Sequence, residues 1–227
     1  MLIVYFTKKE TNTLYTVNAL NAIGSSIRIN NTTVHIKRRE IPFTSSDNNI
    51  DLGNSGTGAR LLMGVVAGQK ITATFCGDAS LSARPMARIT DPLAKMGANV
   101  TSREGGLLPV TIQGTRSLIA AHHCSKIASA QIKSAILLAG LNARGTTIVS
   151  EPSASRDHSE SMLRHFGASV TQTTAADGTH HVALQGEAIL QAADIAVPRD
   201  PSSAAFPMVA ALLIGFRQTS VLLIINI

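Results

Sequence analysis

Pro92-Leu93-Ala94-Lys95-Met96-Gly97-Ala98-Asn99-Val100 is the stretch that decides the fold. A helical run ends at a glycine, and a strand-like run, Leu108-Pro109-Val110-Thr111-Ile112, follows a turn later. Glycine just past a helix takes the left-handed conformation that closes many helices at no steric cost. Alternation of apolar and polar residues beyond it is the pattern of a half-buried strand. Met162-Leu163-Arg164-His165-Phe166-Gly167-Ala168-Ser169-Val170 repeats the plan, with His181-Val182-Ala183-Leu184 as a strand. Ala19-Leu20-Asn21-Ala22-Ile23-Gly24 repeats it again, followed by Ser26-Ile27-Arg28-Ile29 and Thr33-Val34-His35-Ile36. Gly24, Gly97 and Gly167 lie 73 and 70 residues apart.

Between these segments a second unit recurs. Small residues open an apolar helix, which closes at a glycine and leads into β-branched residues. The copies run from Ser55 to Gly68, from Gln131 to Gly145 and from Ser202 to Gly215. Ile71-Thr72-Ala73-Thr74, Thr146-Thr147-Ile148-Val149 and Val221-Leu222-Leu223-Ile224 follow them. Pro92 and Pro207 fall inside helical patterns and mark either helix starts or kinks. The fold expected is α/β (α+β), one pseudo-threefold domain over residues 1–227 made of three βαβαββ repeats. The repeats take roughly 12–50 with 193–227, 51–114, and 115–192.

Composition supports a packed domain: 44% of residues are hydrophobic and 15% charged, a balance that excludes disorder. The net charge of +6 is diffuse, and the densest basic run is Lys37-Arg38-Arg39. Nucleic-acid binding calls for a concentrated basic patch and stacking aromatics, and Trp is absent. A scattered positive excess suits small acidic ligands. Cys76 and Cys124 have no metal or disulfide spacing and are expected as buried free thiols. Met1 to Phe6 is too short for a signal segment and no apolar run is long enough to span a membrane, so a cytoplasmic location is expected.

Candidate chemistry gathers at the helix starts. Asn54-Ser55-Gly56-Thr57, Ser129-Ala130-Gln131 and Asp200-Pro201-Ser202-Ser203 are either ordinary N-caps or anion sites made of free backbone N–H groups. Arg84 and Arg156 each precede a helix; each is either a surface cation or a bidentate clamp for carboxylate or phosphate. Pro85 is expected in the first turn of its helix. Asp157 and His158 read as a cap and a surface residue. His122-His123-Cys124 hints at a metal, but no second cluster in the sequence completes a site.

The runs Leu52 to Leu62, Gly77 to Gly97, Leu108 to Gly114, Ala128 to Asn142, Arg156 to Gly167 and Val197 to Leu213 resemble the 5-enolpyruvylshikimate-3-phosphate (EPSP) synthases. The closest likeness is to the bacterial branch that carries Gly-Asp-Ala-Ser-Leu-x-x-Arg-Pro-Met-x-Arg, here Gly77 to Arg88. The resemblance implies two domains of three βαβαββ units each, halves of an inside-out barrel with the active site between them. This chain is similar to one of them, and its partner domain is expected to be absent. The resemblance also implies carboxyvinyl transfer from phosphoenolpyruvate to shikimate 3-phosphate, in the shikimate pathway of aromatic amino acid biosynthesis, with no metal or organic cofactor.

By the same resemblance Asn54, Gly56, Thr57, Arg84 and Gln131 bind phosphoenolpyruvate, and Gly56 leaves room for the inhibitor glyphosate. Ser129, Ala130, Gln131 and Arg156 bind shikimate 3-phosphate. Arg60 and Arg88 match basic residues of the same motifs, without a defined role. The Gly-Asp-Lys-Ser-Ile-Ser-His-Arg segment of the family is missing, residues 1–10 match nothing, and the proton-transfer residues belong to the other half. No catalytic residue is therefore expected in this chain, which supplies one wall of a site and is expected to be inactive alone. Ala83 replaces a frequent Lys, and Arg199 a usual Gly. The possible partners are the two substrates and a complementary domain or chain. The alternatives are a non-catalytic anion-binding module, a decayed remnant, or a protein like UDP-N-acetylglucosamine enolpyruvyl transferase, whose motifs match poorly.

Overall fold

Gly24, Gly97 and Gly167 take φ of 91°, 109° and 90°. A Cβ at Gly97 or Gly167 would meet nothing within 4 Å, so conformation rather than space requires glycine there. Each closes a helix and turns the chain into a two-stranded hairpin, as the repeat predicts. The computed structural model describes residues 2–5, 11–30, 33–37 and 43–193, all within the compact unit Met1–Ala193.

The second repeat reads β4 (Ile50–Asp51), α2 (Gly56–Ala67), β5 (Thr72–Cys76), the short α3 (Ala79–Ser82), α4 (Ala87–Lys95), β6 (Asn99–Arg103) and β7 (Leu107–Gln113). The third reads β8 (His122–Cys124), α5 (Ala130–Gly140), β9 (Thr146–Glu151), α6 (His158–His165), β10 (Val170–Thr174) and β11 (His180–Gln185). Their sheets share one order, β4-β5-β7-β6 and β8-β9-β11-β10. In each the leading strand is parallel to the second and the remaining pairs are antiparallel.

The first repeat contains β1 (Leu2–Tyr5), α1 (Thr11–Ala22), β2 (Ser26–Asn30) and β3 (Thr33–Lys37), with sheet order β1-β3-β2. Antiparallel β1 thus holds the place that β5 and β9 hold in their sheets. This assigns a strand to a segment that the sequence left unplaced. The expected contribution of 193–227, including Pro207 and the third apolar helix, lies outside the described residues but for Ala193.

Strands β5, β7 and β11 alternate buried and more accessible residues, so each turns one face to the core. Helices α2 and α5 are apolar nearly all round and are the most buried. They pack against each other more extensively than any other helix pair. The approach is close because Gly64 of α2 faces the backbone of Ala135 in α5. A Cβ on Gly64 would run into the Ala135 carbonyl. Among the described residues no helix is long and apolar enough to cross a membrane.

Two local expectations change, and one alternative closes. Pro92 lies inside α4, as its helical pattern indicated, buried, where it forgoes one backbone donor; it is not a helix start. Pro85 stands two residues before α4, ahead of the N-cap Met86. The thiols are not buried: Cys76 is half-buried and Cys124 exposed, and both are free.

Replacing Gly64 with alanine is expected to lower stability by about 3 kcal/mol, since fixed backbone rather than a movable side chain opposes the new methyl. Thermal denaturation should show a melting temperature roughly 6–12 °C below that of the unsubstituted chain. An unchanged melt would mean that α2 and α5 are not held this close.

Candidate anion site

The start of α2 is set by Ser55, whose hydroxyl accepts the Gly58 N–H at 3.3 Å. Asp78 caps α3 in the same way, accepting the Leu81 N–H at 2.7 Å. That bond, and then one from Asn54, holds the Asp78 carboxyl below the usual carboxylate range. Asn54 bridges the two loops. Its amide N–H₂ donates to Asp78 Oδ2 at 2.8 Å, and its Oδ1 accepts from Arg84 Nη2 at 2.7 Å. Arg84 also donates to Ser80 Oγ at 3.1 Å. The guanidinium is therefore aimed before any ligand arrives.

Arg60, one turn into α2, donates to Gln131 Oε1 at 3.2 Å and to the Gly56 carbonyl at 3.3 Å. Gln131 Nε2 donates to Thr57 Oγ1 at 2.7 Å. These bonds join the starts of α2 and α5. Gly56 lies between the arginines: a Cβ there would be 2.9 Å from Arg60 Nη1 and 3.1 Å from Arg84 Nη1. Burial, then the charges of Arg84 and Arg88, hold the Arg60 guanidinium below its ordinary value. Among the described residues none of these three arginines pairs with a carboxylate. Asp78 lies close enough to act electrostatically on Arg84 but makes no direct ion pair with it. Concentrated positive charge, partly withdrawn from water and without a direct carboxylate partner, favours an anion.

Ser129 caps α5, and its hydroxyl lies 3.5 Å from the Ile132 N–H. Its own N–H donates to Glu151 Oε2 at 3.0 Å. Glu151 ends β9 and accepts at Oε1 the N–H of Ser155 at 3.2 Å and its hydroxyl at 2.7 Å. Beneath lies Lys133, fully buried, with Nζ 2.9 Å from Glu151 Oε1 and 2.7 Å from Glu160 Oε1. Burial alone would raise the Glu151 carboxyl, but bonds from Lys133, Ser155 and the Ser129 N–H outweigh it and hold it below its ordinary value.

Asn54, Gly56, Thr57, Arg84 and Gln131 thus form one bonded group, with Arg60 as the link to which the sequence assigned no role. Ser129 and Ala130 occupy the same helix start as Gln131. Arg156 is exposed just ahead of α6, tied to them through Ser155 and Glu151. Arg88 is exposed and has no hydrogen bond to the group, so it contributes charge alone. Sequence reading missed the Lys133–Glu151–Glu160 cluster. Its signal was a lysine at the second position of the mostly apolar run Ile132 to Gly140, since a buried lysine is almost always paired.

His122 Nε2 and His181 Nδ1 each lie 2.7 Å from Ser150 Oγ, and Cys124 Sγ is 3.7 Å from His122 Nε2. Among the described residues no group of three ligating side chains is arranged to hold a metal ion.

Two helix starts and two aimed arginines stand together on repeated βαβαββ units of one α/β domain. A profile of EPSP synthase (3-phosphoshikimate 1-carboxyvinyltransferase) matches residues 9–221, and the chain belongs to that family. It is 59% identical over 166 residues to the 3-phosphoshikimate 1-carboxyvinyltransferase of Granulibacter bethesdensis, covering 73% of this chain and 37% of that protein. The enzyme of Paracoccus denitrificans is 55% identical over 172 residues, with coverage of 76% and 39%. An EPSP synthase structure from Acinetobacter baumannii superposes with a TM-score of 0.81 at 41% identity, over 92% of this chain and 47% of that one. The chain therefore spans well under half the length of the curated relatives it matches.

Glu151 fixes the sign of an acid effect. Its folded pKa lies below the unfolded value of about 4.3, so its stabilisation is complete above that pH and lost as pH falls through the folded pKa. Glu151→Gln should melt well below the unsubstituted chain at pH 7, with the gap narrowing steadily below about pH 4. Melting curves that stay equally spaced between pH 7 and 3 would refute this.

Proposed function

We propose that this chain supplies one wall of an EPSP synthase active site. In this reading the 5-hydroxyl of shikimate 3-phosphate adds to C2 of phosphoenolpyruvate, and the tetrahedral intermediate then expels phosphate. Arg84 and Arg60 hold phosphoenolpyruvate against the Gly56 backbone, with Asn54 and Thr57 fixing their orientation. Ser129, Ala130 and Arg156 hold shikimate 3-phosphate, and Gln131 borders both ligands. Binding two anions side by side in a fixed geometry lowers the cost of bringing them together, and fixed donors stabilise charge that grows on the intermediate.

The observation that carries this reading is the bonded chain Thr57–Gln131–Arg60 between two helix starts, with Gly56 leaving open the space between Arg60 and Arg84. The groups that move protons come from a complementary half, so the chain alone binds without turnover.

Phosphate release from both substrates should be undetectable with the purified chain and should appear when the complementary half of a family member is added. Turnover by the chain alone would refute the division of labour; failure of the mixture to react would count against the activity itself. In the reassembled enzyme Gly56→Ala should weaken glyphosate inhibition by about tenfold or more, because the new methyl crowds both guanidinium groups. An unchanged inhibition constant would place glyphosate elsewhere.

A further inference from the structure

We infer that Glu151 and Lys133 are positioning residues for the shikimate 3-phosphate half of the site. The inference rests on the assignment of Ser129 and Arg156 to that ligand.

Lys133 lies two residues beyond Gln131, where an exposed lysine could serve as a further cation for a phosphate. Its burial forbids that. Its side chain is fully buried, and its ammonium is taken up by two carboxylates and by the Ser155 carbonyl at 3.4 Å. What the cluster presents to the surface is not charge but geometry. Glu151 has two oxygens and divides them between two segments. Oε2 accepts the N–H of Ser129, at the start of α5; Oε1 accepts the N–H of Ser155, next to Arg156. One carboxylate thereby fixes the separation of the two segments that hold the ligand. Lys133 holds Glu151 from below, and the Ser155 hydroxyl bonds both oxygens, at 2.7 and 3.0 Å.

Glu160 separates this role from plain stability. It pairs with the same lysine and is equally buried, yet it bonds neither Ser129 nor Ser155. Among the described residues its Oε2 has no hydrogen-bond partner. Two carboxylates share one ammonium, but only one of them reaches the site.

Glu151→Gln keeps the shape and leaves one acceptor oxygen where there were two, so either Ser129 or Ser155 loses its partner. Calorimetric titration of the chain with shikimate 3-phosphate should show affinity reduced about tenfold or more in Glu151→Gln. Glu160→Gln should bind within about twofold of the unsubstituted chain, although it melts at a different temperature. Phosphoenolpyruvate binding at Arg84 should be unaffected by Glu160→Gln and should fall less than shikimate 3-phosphate binding in Glu151→Gln.

Unchanged shikimate 3-phosphate affinity in Glu151→Gln would overturn the inference. So would losses in the two variants that simply follow their losses of stability. If the unsubstituted chain does not bind shikimate 3-phosphate, the ligand assignment falls, and the positioning role is decided by amide resonances. The Ser129 and Ser155 signals should both move in Glu151→Gln and stay in place in Glu160→Gln; signals that respond alike in both variants overturn it.

Discussion

The contact of α2 with α5 at Gly64 and Ala135 is the constraint on which the rest depends. With no side chain at Gly64, the helix backbones meet directly. Two turns nearer the N-terminus of α2 lies Thr57, and one turn nearer that of α5 lies Gln131. Because the helices are so close, the Gln131 side chain reaches Thr57 and Arg60 across more than seventy residues of sequence. Any wider spacing would leave these groups to water. Core packing and ligand geometry are here one fact: small residues in the core set the distance, and polar residues at the rim use it.

The repeat places equivalent parts side by side. In two units a short parallel strand leads to a capped helix start, and both starts belong to one bonded group. A single helix start is a weak anion site. Two starts joined by Gln131, with Arg60 and Arg84 in no direct ion pair with a carboxylate among the described residues, give the group defined shape as well as charge. The first sheet keeps the shared order even though its described second-position strand comes from Leu2–Tyr5.

Much of the fold was legible because the signals were local. Gly24, Gly97 and Gly167 marked helix ends, alternation marked β7 and β11, and β-branched residues marked β5. The candidate site was legible as a family pattern in Asn54, Gly56, Thr57, Arg84, Ser129, Ala130, Gln131 and Arg156, though their roles remain a proposal. What could not be read depends on long-range pairing. Arg60 gains meaning only from Gln131, 71 residues away. Lys133 gains its role only from Glu151 and Glu160, 18 and 27 residues further along the chain. Pro85 misled because proline restricts conformation without saying on which side of it a helix begins. Leu2–Tyr5 carried no helix or glycine signal of its own; only its partner β3 identifies it as a strand.

The hydroxyl of Ser150 bonds an imidazole on either side, His122 on β8 and His181 on β11. A hydroxyl has one proton to give, so at most one of the two facing nitrogens can be a bare acceptor. The other must carry hydrogen. The tautomers of two histidines on different strands are therefore coupled through a third: when one ring moves its proton to its far nitrogen, the hydroxyl turns and the other ring must present N–H. The outer face of this sheet thus has two proton arrangements of nearly the same heavy-atom geometry. Occupation of both inner nitrogens by protons leaves the serine hydrogen to find a new acceptor.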